Sequence, residues 1–113
     1  MGTHCALGVK MKNGSIIGCY VHYDGYEEHM MPTIRDYLRL NTTTALAILI
    51  ARAQTTGGIR SFGKLNSETD FLEDPDPYVI TSQNWKEDHY GTHAWYLVDH
   101  DTEDIEVRHA WVS

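Results

Sequence analysis

The stretch LGVKMKNGSIIGCYVHY, residues 7–23, decides how the fold begins. Asn13-Gly14 is the favoured pair for a two-residue type I′ turn, because both central positions of that turn need positive φ. A hairpin is therefore expected. A two-residue loop sets Met11 opposite Ile16, Val9 opposite Gly18, Leu7 opposite Tyr20 and Cys5 opposite His22. Paired residues share a face, and faces alternate along each strand. The expected core face is then Cys5, Leu7, Val9, Met11, Ile16, Tyr20 and His22. The other face carries Ala6, Lys10, Lys12, Ile17, Cys19, Val21 and Tyr23, and its lysines leave it wet near the turn. This register puts the two cysteines on opposite faces and forbids a disulfide between them.

Downstream, MPTIRDYLRLN predicts a helix. Pro32 suits its first position, Ile34, Tyr37 and Leu38 form one apolar stripe, and Asn41 ends it. TTTALAILIARAQTTGG predicts a second helix. A threonine caps it, Leu46, Leu49, Ile50 and Ala53 line one side, and Gly57-Gly58 stop it. The short connection favours a packed helical hairpin. Residues 57–77, interrupted by Pro75 and Pro77, read as a long loop with Phe62 and Phe71 as anchors. Tyr78–Thr81 is a candidate short strand. THAWYLVD and IEVRHAWV alternate around the polar HDTED and predict a second hairpin, with Ile105, Val107, His109 and Trp111 on one face. The expectation is a single α+β domain, residues 1–113. Its antiparallel sheet is built from the N- and C-terminal hairpins, with the helical hairpin packed on one face.

The chain has 113 residues, 42% apolar and 22% charged, with a formal net charge of −7. One small domain with a modest core fits these numbers, and a homo-oligomer is compatible with them. The negative balance argues against a duplex nucleic acid partner, which needs lysine and arginine to displace counterions. No segment approaches the ~20 apolar residues of a membrane span. The opening MGTHCALGVK lacks a basic region followed by a long apolar stretch, so no signal peptide is expected. Two cysteines make no disulfide framework, which fits a reducing cytoplasmic setting.

The segment Tyr20, His22, Tyr23, Asp24, Gly25 and Tyr26 carries a resemblance. So do Gly58, Ser61, Phe62 and Gly63, together with Trp95-Tyr96-Leu97 and Trp111. The chain resembles small tailed-bacteriophage proteins in which a hairpin ends in Tyr-x-His-(Trp/Tyr)-Asp-Gly-Tyr. A helix, a Gly-x-x-Ser-(Leu/Phe)-Gly segment and a C-terminal aromatic strand pair follow. It departs from them after Tyr26, where Glu27, Glu28, His29 and two methionines replace a proline and a Gly-x-Gly. The resemblance implies a phage accessory protein acting in the cytoplasm of the infected host. It carries no established reaction.

Tyr20 and Tyr26 offer flat rings, His22 donates or accepts near neutral pH, and Asp24-Gly25 is a turn signal. With Arg60 and Ser61 they are the candidate ligand- or partner-binding residues. The expected partner is a host defence or regulatory protein, or a small nucleotide signal stacked on the tyrosines. The plainer reading is that Asp24 caps the turn or the following helix and His22 satisfies a buried backbone group. No catalytic residue, metal or cofactor is assigned. Metal-ligand spacings such as Cys-x-x-Cys and His-Glu-x-x-His are missing, and the acids from Asp99 to Asp104 lack calcium-loop spacing. A hydrolase using His22 and Asp24, with or without a metal, is the enzymatic alternative. A Cys5–His22 nucleophile pair would follow from the register above. A structural virion component is the third class.

Overall fold

A computed structural model describes residues 3–110. Trp111, expected on the last strand, lies outside the described residues. The elements run β1 (His4–Lys10), β2 (Ile16–Val21), α1 (Glu27–Leu40), α2 (Thr43–Thr55), β3 (Ile59–Ser61), β4 (Asp70–Phe71), β5 (Ile80–Thr81), β6 (Thr92–Asp99) and β7 (Ile105–His109). All seven strands join one sheet in the order β4-β3-β2-β1-β6-β7, with β5 pairing the part of β2 that β3 leaves open.

The α+β expectation and the two terminal hairpins hold, and both hairpins enter one sheet. The sheet is mixed, however, not antiparallel throughout. β1 runs parallel to β6, and β2 parallel to β3. Parallel neighbours need a long crossover, and α1 with α2 supplies the one from β2 to β3. β1 is thereby enclosed between β2 and β6. Its residues Cys5–Val9 are buried on both faces, as the uninterrupted CALGV run suits.

The first turn differs from the expected one. Gly14 N–H donates to Met11 O (2.9 Å), and Met11 N–H donates to Ser15 O (2.8 Å), closing a three-residue loop. Gly14 alone takes positive φ, +88°, and Asn13 does not. The Asn13 carboxamide oxygen instead accepts from the Ser15 amide at 3.0 Å. The register therefore pairs Cys5 with Val21, Leu7 with Cys19 and Val9 with Ile17. One residue of slip turns every β2 side chain to the opposite face. Cys19 and Val21 join Cys5, Leu7 and Val9 in the main core, while Tyr20 and His22 leave it. Cys5 and Cys19 thus share a face, both buried and both free thiols.

The first helix begins five residues before Pro32, which sits inside it and is exposed. Glu27 and Glu28 in the first turn complement the positive end of the helix dipole. Met30, Ile34 and Tyr37 point into the core, and Asn41 closes the end with its N–H on Tyr37 O. The second helix follows its expected limits. The Thr42 hydroxyl oxygen accepts from the Ala45 amide at 3.0 Å, and Gly57 beyond the end has φ +88°. Residues 57–77 are less irregular than expected, because they contribute β3, a 3-10 turn at Asn66–Glu68, and β4. Phe62 is buried, and Phe71 lies under the Arg52 guanidinium.

The helices cover one face of the sheet, over Leu7, Cys19, Tyr96 and Val98. The other face is also covered. Residues 78–85 fold across it and bring Tyr78, Ile80 and Trp85 onto Ala6, Trp95 and Leu97. Gly8 stands opposite Gly18 on this side. A Cβ on Gly8 would come 2.7 Å from the Trp85 ring, and one on Gly18 3.1 Å from it. The paired glycines form the floor on which the indole lies.

Candidate functional site

The strand β2 turns Tyr20 to this second face, and the chain then leaves the sheet edge. Tyr20 is nearly buried there. Its hydroxyl is hydrogen-bonded to His22 Nδ1 at 2.8 Å. The His22 and Tyr23 amides continue the ladder by donating to Ile59 O (2.8 Å) and Arg60 O (2.9 Å). His4 Nδ1–H donates to the His22 carbonyl at 2.6 Å, and the two imidazoles stack with centroids 4.8 Å apart. The Tyr23 ring meets His22 edge-on at 4.5 Å.

The covering segment adds further rings. Tyr78 and Tyr90 lie 6.4 Å and 5.3 Å from Tyr20, both edge-on, and 5.1 Å from each other. The Tyr78 hydroxyl is hydrogen-bonded to His89 Nδ1 at 2.7 Å, so a second phenol–imidazole pair stands behind the first. Tyr90 is held in the left-handed region at φ +59° with its side chain out in solvent. Beside the rings is a depression of about 130 Å³ lined by Tyr20, Tyr78, Tyr90, Leu72, Asp74 and Asp76.

Electrostatics follow from this packing. Burial first, then the neighbouring His4 and the positive Arg60, hold the His22 pKa below the ordinary imidazole value. Burial, with Cys5 and the surrounding tyrosines, pushes the Tyr20 phenol up to about 12. The neutral forms of both are therefore favoured at pH 7.

The other expected site residues are distributed differently. Asp24 occupies the left-handed region at φ +58°, and no hydrogen bond joins it to His22 among the described residues. Gly25 is locked beneath it. Its N–H donates to Thr3 O at 2.7 Å, and its carbonyl accepts from the Tyr96 hydroxyl at 2.8 Å. A Cβ here would meet Thr3 O, the Cys5 Cβ and the His4 carbonyl carbon at 2.7–2.8 Å. The Asp-Gly pair therefore joins the β2 exit to β1 and β6. Tyr26 is the N-cap of α1, with an exposed ring and no side-chain capping bond. Arg60 forms a 2.9 Å ion pair with Asp70, and Ser61 ends β3 half-buried.

Tyr20 and His22 are thus brought together, Arg60 stands near them, and Asp24 and Tyr26 line the following turn. His4, Tyr78, His89 and Tyr90 were not anticipated. Nothing local marks them, because they reach Tyr20 only through the fold of the covering segment. The Cys5–His22 pairing is overturned. Cys5 faces Val21 within the helix-side core, and burial raises its thiol pKa well above normal. Among the described residues, no three His, Cys, Asp or Glu side chains converge as a metal site. Asp99 is engaged in its own turn, where its carboxylate accepts from the Thr102 and Asp101 amides and its pKa is lowered. No described helix is long and apolar enough to cross a membrane.

Against family models, curated proteins and solved structures, the chain has no match.

Proposed function

We propose that this chain is a non-enzymatic phage accessory protein that binds and neutralises a host factor in the cytoplasm of the infected cell. The observation that carries this reading is the ring cluster on the second face. Two part-buried phenol–imidazole hydrogen bonds tie it together, and Tyr23 (43% exposed) and Tyr90 (68% exposed) stand out from it. Tyrosine supplies large contact area at little entropic cost, which suits a stoichiometric binding surface. Asp74 and Asp76 beside the rings favour a partner with basic groups at the contact.

A host defence or regulatory protein fits this surface better than a nucleotide. Arg39 is paired with Asp36, Arg52 lies over Phe71, and Arg60 is paired with Asp70. Of the cations considered, Arg35 lines a different groove, and an anionic ligand in the depression beside the rings would face Asp74 and Asp76. The hydrolase reading needs His22 and Asp24 to act together, and no contact between them supports it.

The test is a binding comparison on the purified protein. Wild type is expected to hold one host protein at fixed stoichiometry, and Tyr23→Ala/Tyr90→Ala to lose it while keeping its circular dichroism and melting behaviour. Asp24→Ala examines the turn in the same assay. Equal capture by the folded double variant would remove the ring cluster from the binding surface. Native mass spectrometry showing a retained nucleotide would replace the protein partner with that ligand.

A further inference from the structure

We propose that the depression beside the ring cluster receives one guanidinium, the side chain of an arginine on the host partner, an assignment that rests on the cluster being the binding surface. Three tyrosines, Tyr20, Tyr78 and Tyr90, line it, with ring centroids 5.1–6.4 Å from one another. The Tyr20 and Tyr78 hydroxyls are each engaged by an imidazole, at 2.8 Å and 2.7 Å, which fixes both rings. Asp74 and Asp76 supply the charge. Neither carboxylate forms an ion pair among the described residues, and no described lysine or arginine lines the depression.

The acidic side of the depression is tied to the end of α2. The Asp74 N–H donates to Thr56 O at 3.2 Å, and the Tyr78 N–H donates to Gln54 O at 2.9 Å. Asp74 Oδ1 accepts from the Asp76 N–H at 2.9 Å. Asp74 Oδ2 and the whole Asp76 carboxylate remain available to a ligand. The segment therefore presents its negative charge from a braced backbone, next to rings that are themselves held.

Size and chemistry select the occupant. The depression holds about 130 Å³, well below the roughly 300–1,000 Å³ of a site for a whole small molecule. It has room for one side-chain head group. Its carboxylates repel an anion, and tyrosine rings attract a cation through their quadrupoles. Guanidinium suits this mixture better than ammonium. It is flat enough to stack on a ring, is more weakly hydrated, and turns its N–H edge to carboxylate oxygens while stacked. An ammonium is a compact point charge that keeps its water.

The experiment is an NMR titration of the full chain with N-acetyl-arginine methylamide, alongside its lysine and citrulline counterparts. The arginine probe should saturate with a dissociation constant on the order of millimolar, as one side chain alone can supply, and shift the Gly57, Tyr78 and Tyr90 amides. The lysine probe should bind about threefold more weakly, and uncharged citrulline should not saturate. Asp74→Asn keeps an acceptor for the Asp76 amide and removes the charge. It and Asp76→Asn should each weaken the arginine probe by about threefold, and together by about tenfold. Tyr90→Leu should weaken it by about threefold. No saturation, saturation at another surface, or citrulline or lysine binding as tightly as arginine would overturn the proposal. So would capture of the host protein by Asp74→Asn/Asp76→Asn at wild-type strength, with Tyr23→Ala/Tyr90→Ala losing it; the binding surface would then stand without the arginine. Saturation by the arginine probe in a wild type that captures no host protein would remove that partner and support the guanidinium site.

Discussion

The Tyr20 hydroxyl and His22 Nδ1 are 2.8 Å apart, on residues that leave β2 from the same face. A buried phenol holds one imidazole nitrogen, and a second imidazole stacks on the ring. These two contacts fix the orientation of the His22 ring.

The first prediction concerns its titration. Native His22 should titrate below the ordinary value of about 6.5, followed by its ring carbon signals in NMR. The folded state then binds that proton more weakly than the unfolded chain. Its stabilising contribution is complete above about pH 6.5 and is lost as pH falls through the lower folded value. Arg60→Gln removes a positive neighbour and should move the His22 midpoint upward. A native midpoint at or above 6.5 would contradict the described packing.

Cys5 and Cys19 should be inert in the native protein. Both are fully buried on the helix-side face, and burial raises both thiol pKa values. The thiolate is the reactive species, so labelling requires opening of the core. A thiol reagent at pH 8 should modify neither until denaturant approaches the unfolding midpoint, and both together beyond it. Rapid stoichiometric labelling of folded protein would place at least one thiol at the surface.

Gly25→Ala should destabilise the protein by about 1–3 kcal/mol, because the new methyl meets backbone of β1 rather than a movable side chain. For a domain of this size each kcal/mol lowers the melting temperature by about 4 °C. A variant melting with wild type would mean that the β2 exit does not press on Thr3 and His4.

Thr42→Ala removes the acceptor for the Ala45 amide and should cost about 1 kcal/mol in denaturant titration, with an unchanged slope. Thr42→Ser should retain most of that stability, since its hydroxyl reaches the same amide.

The hairpin at Asn13-Gly14, the capped helix from Thr43, its glycine stop and the final hairpin are all legible along the chain. Each depends on neighbours a few residues apart. The start of α1 was harder to read. Pro32 is the stronger local signal, yet burial of Met30 and the acidic first turn carry the helix back to Glu27. Tyr20 and His22 were identifiable as candidates from residue type. Their surroundings were not, because Tyr78, His89 and Tyr90 lie more than fifty residues away in the chain.

Local propensity and spacing, then, determined which segments become strands and helices, in what order, and that apolar alternation would build a sheet with helices upon it. Tertiary structure decided the register of the first hairpin, where Asn-Gly is compatible with either a two- or a three-residue loop. Burial of Cys19 and Val21 against the helices selects the latter. Long-range packing also decided the parallel alignment of β1 with β6 and the assembly of the ring cluster. Both depend on contacts between distant residues, whose free energy is gained only when the whole sheet is in place.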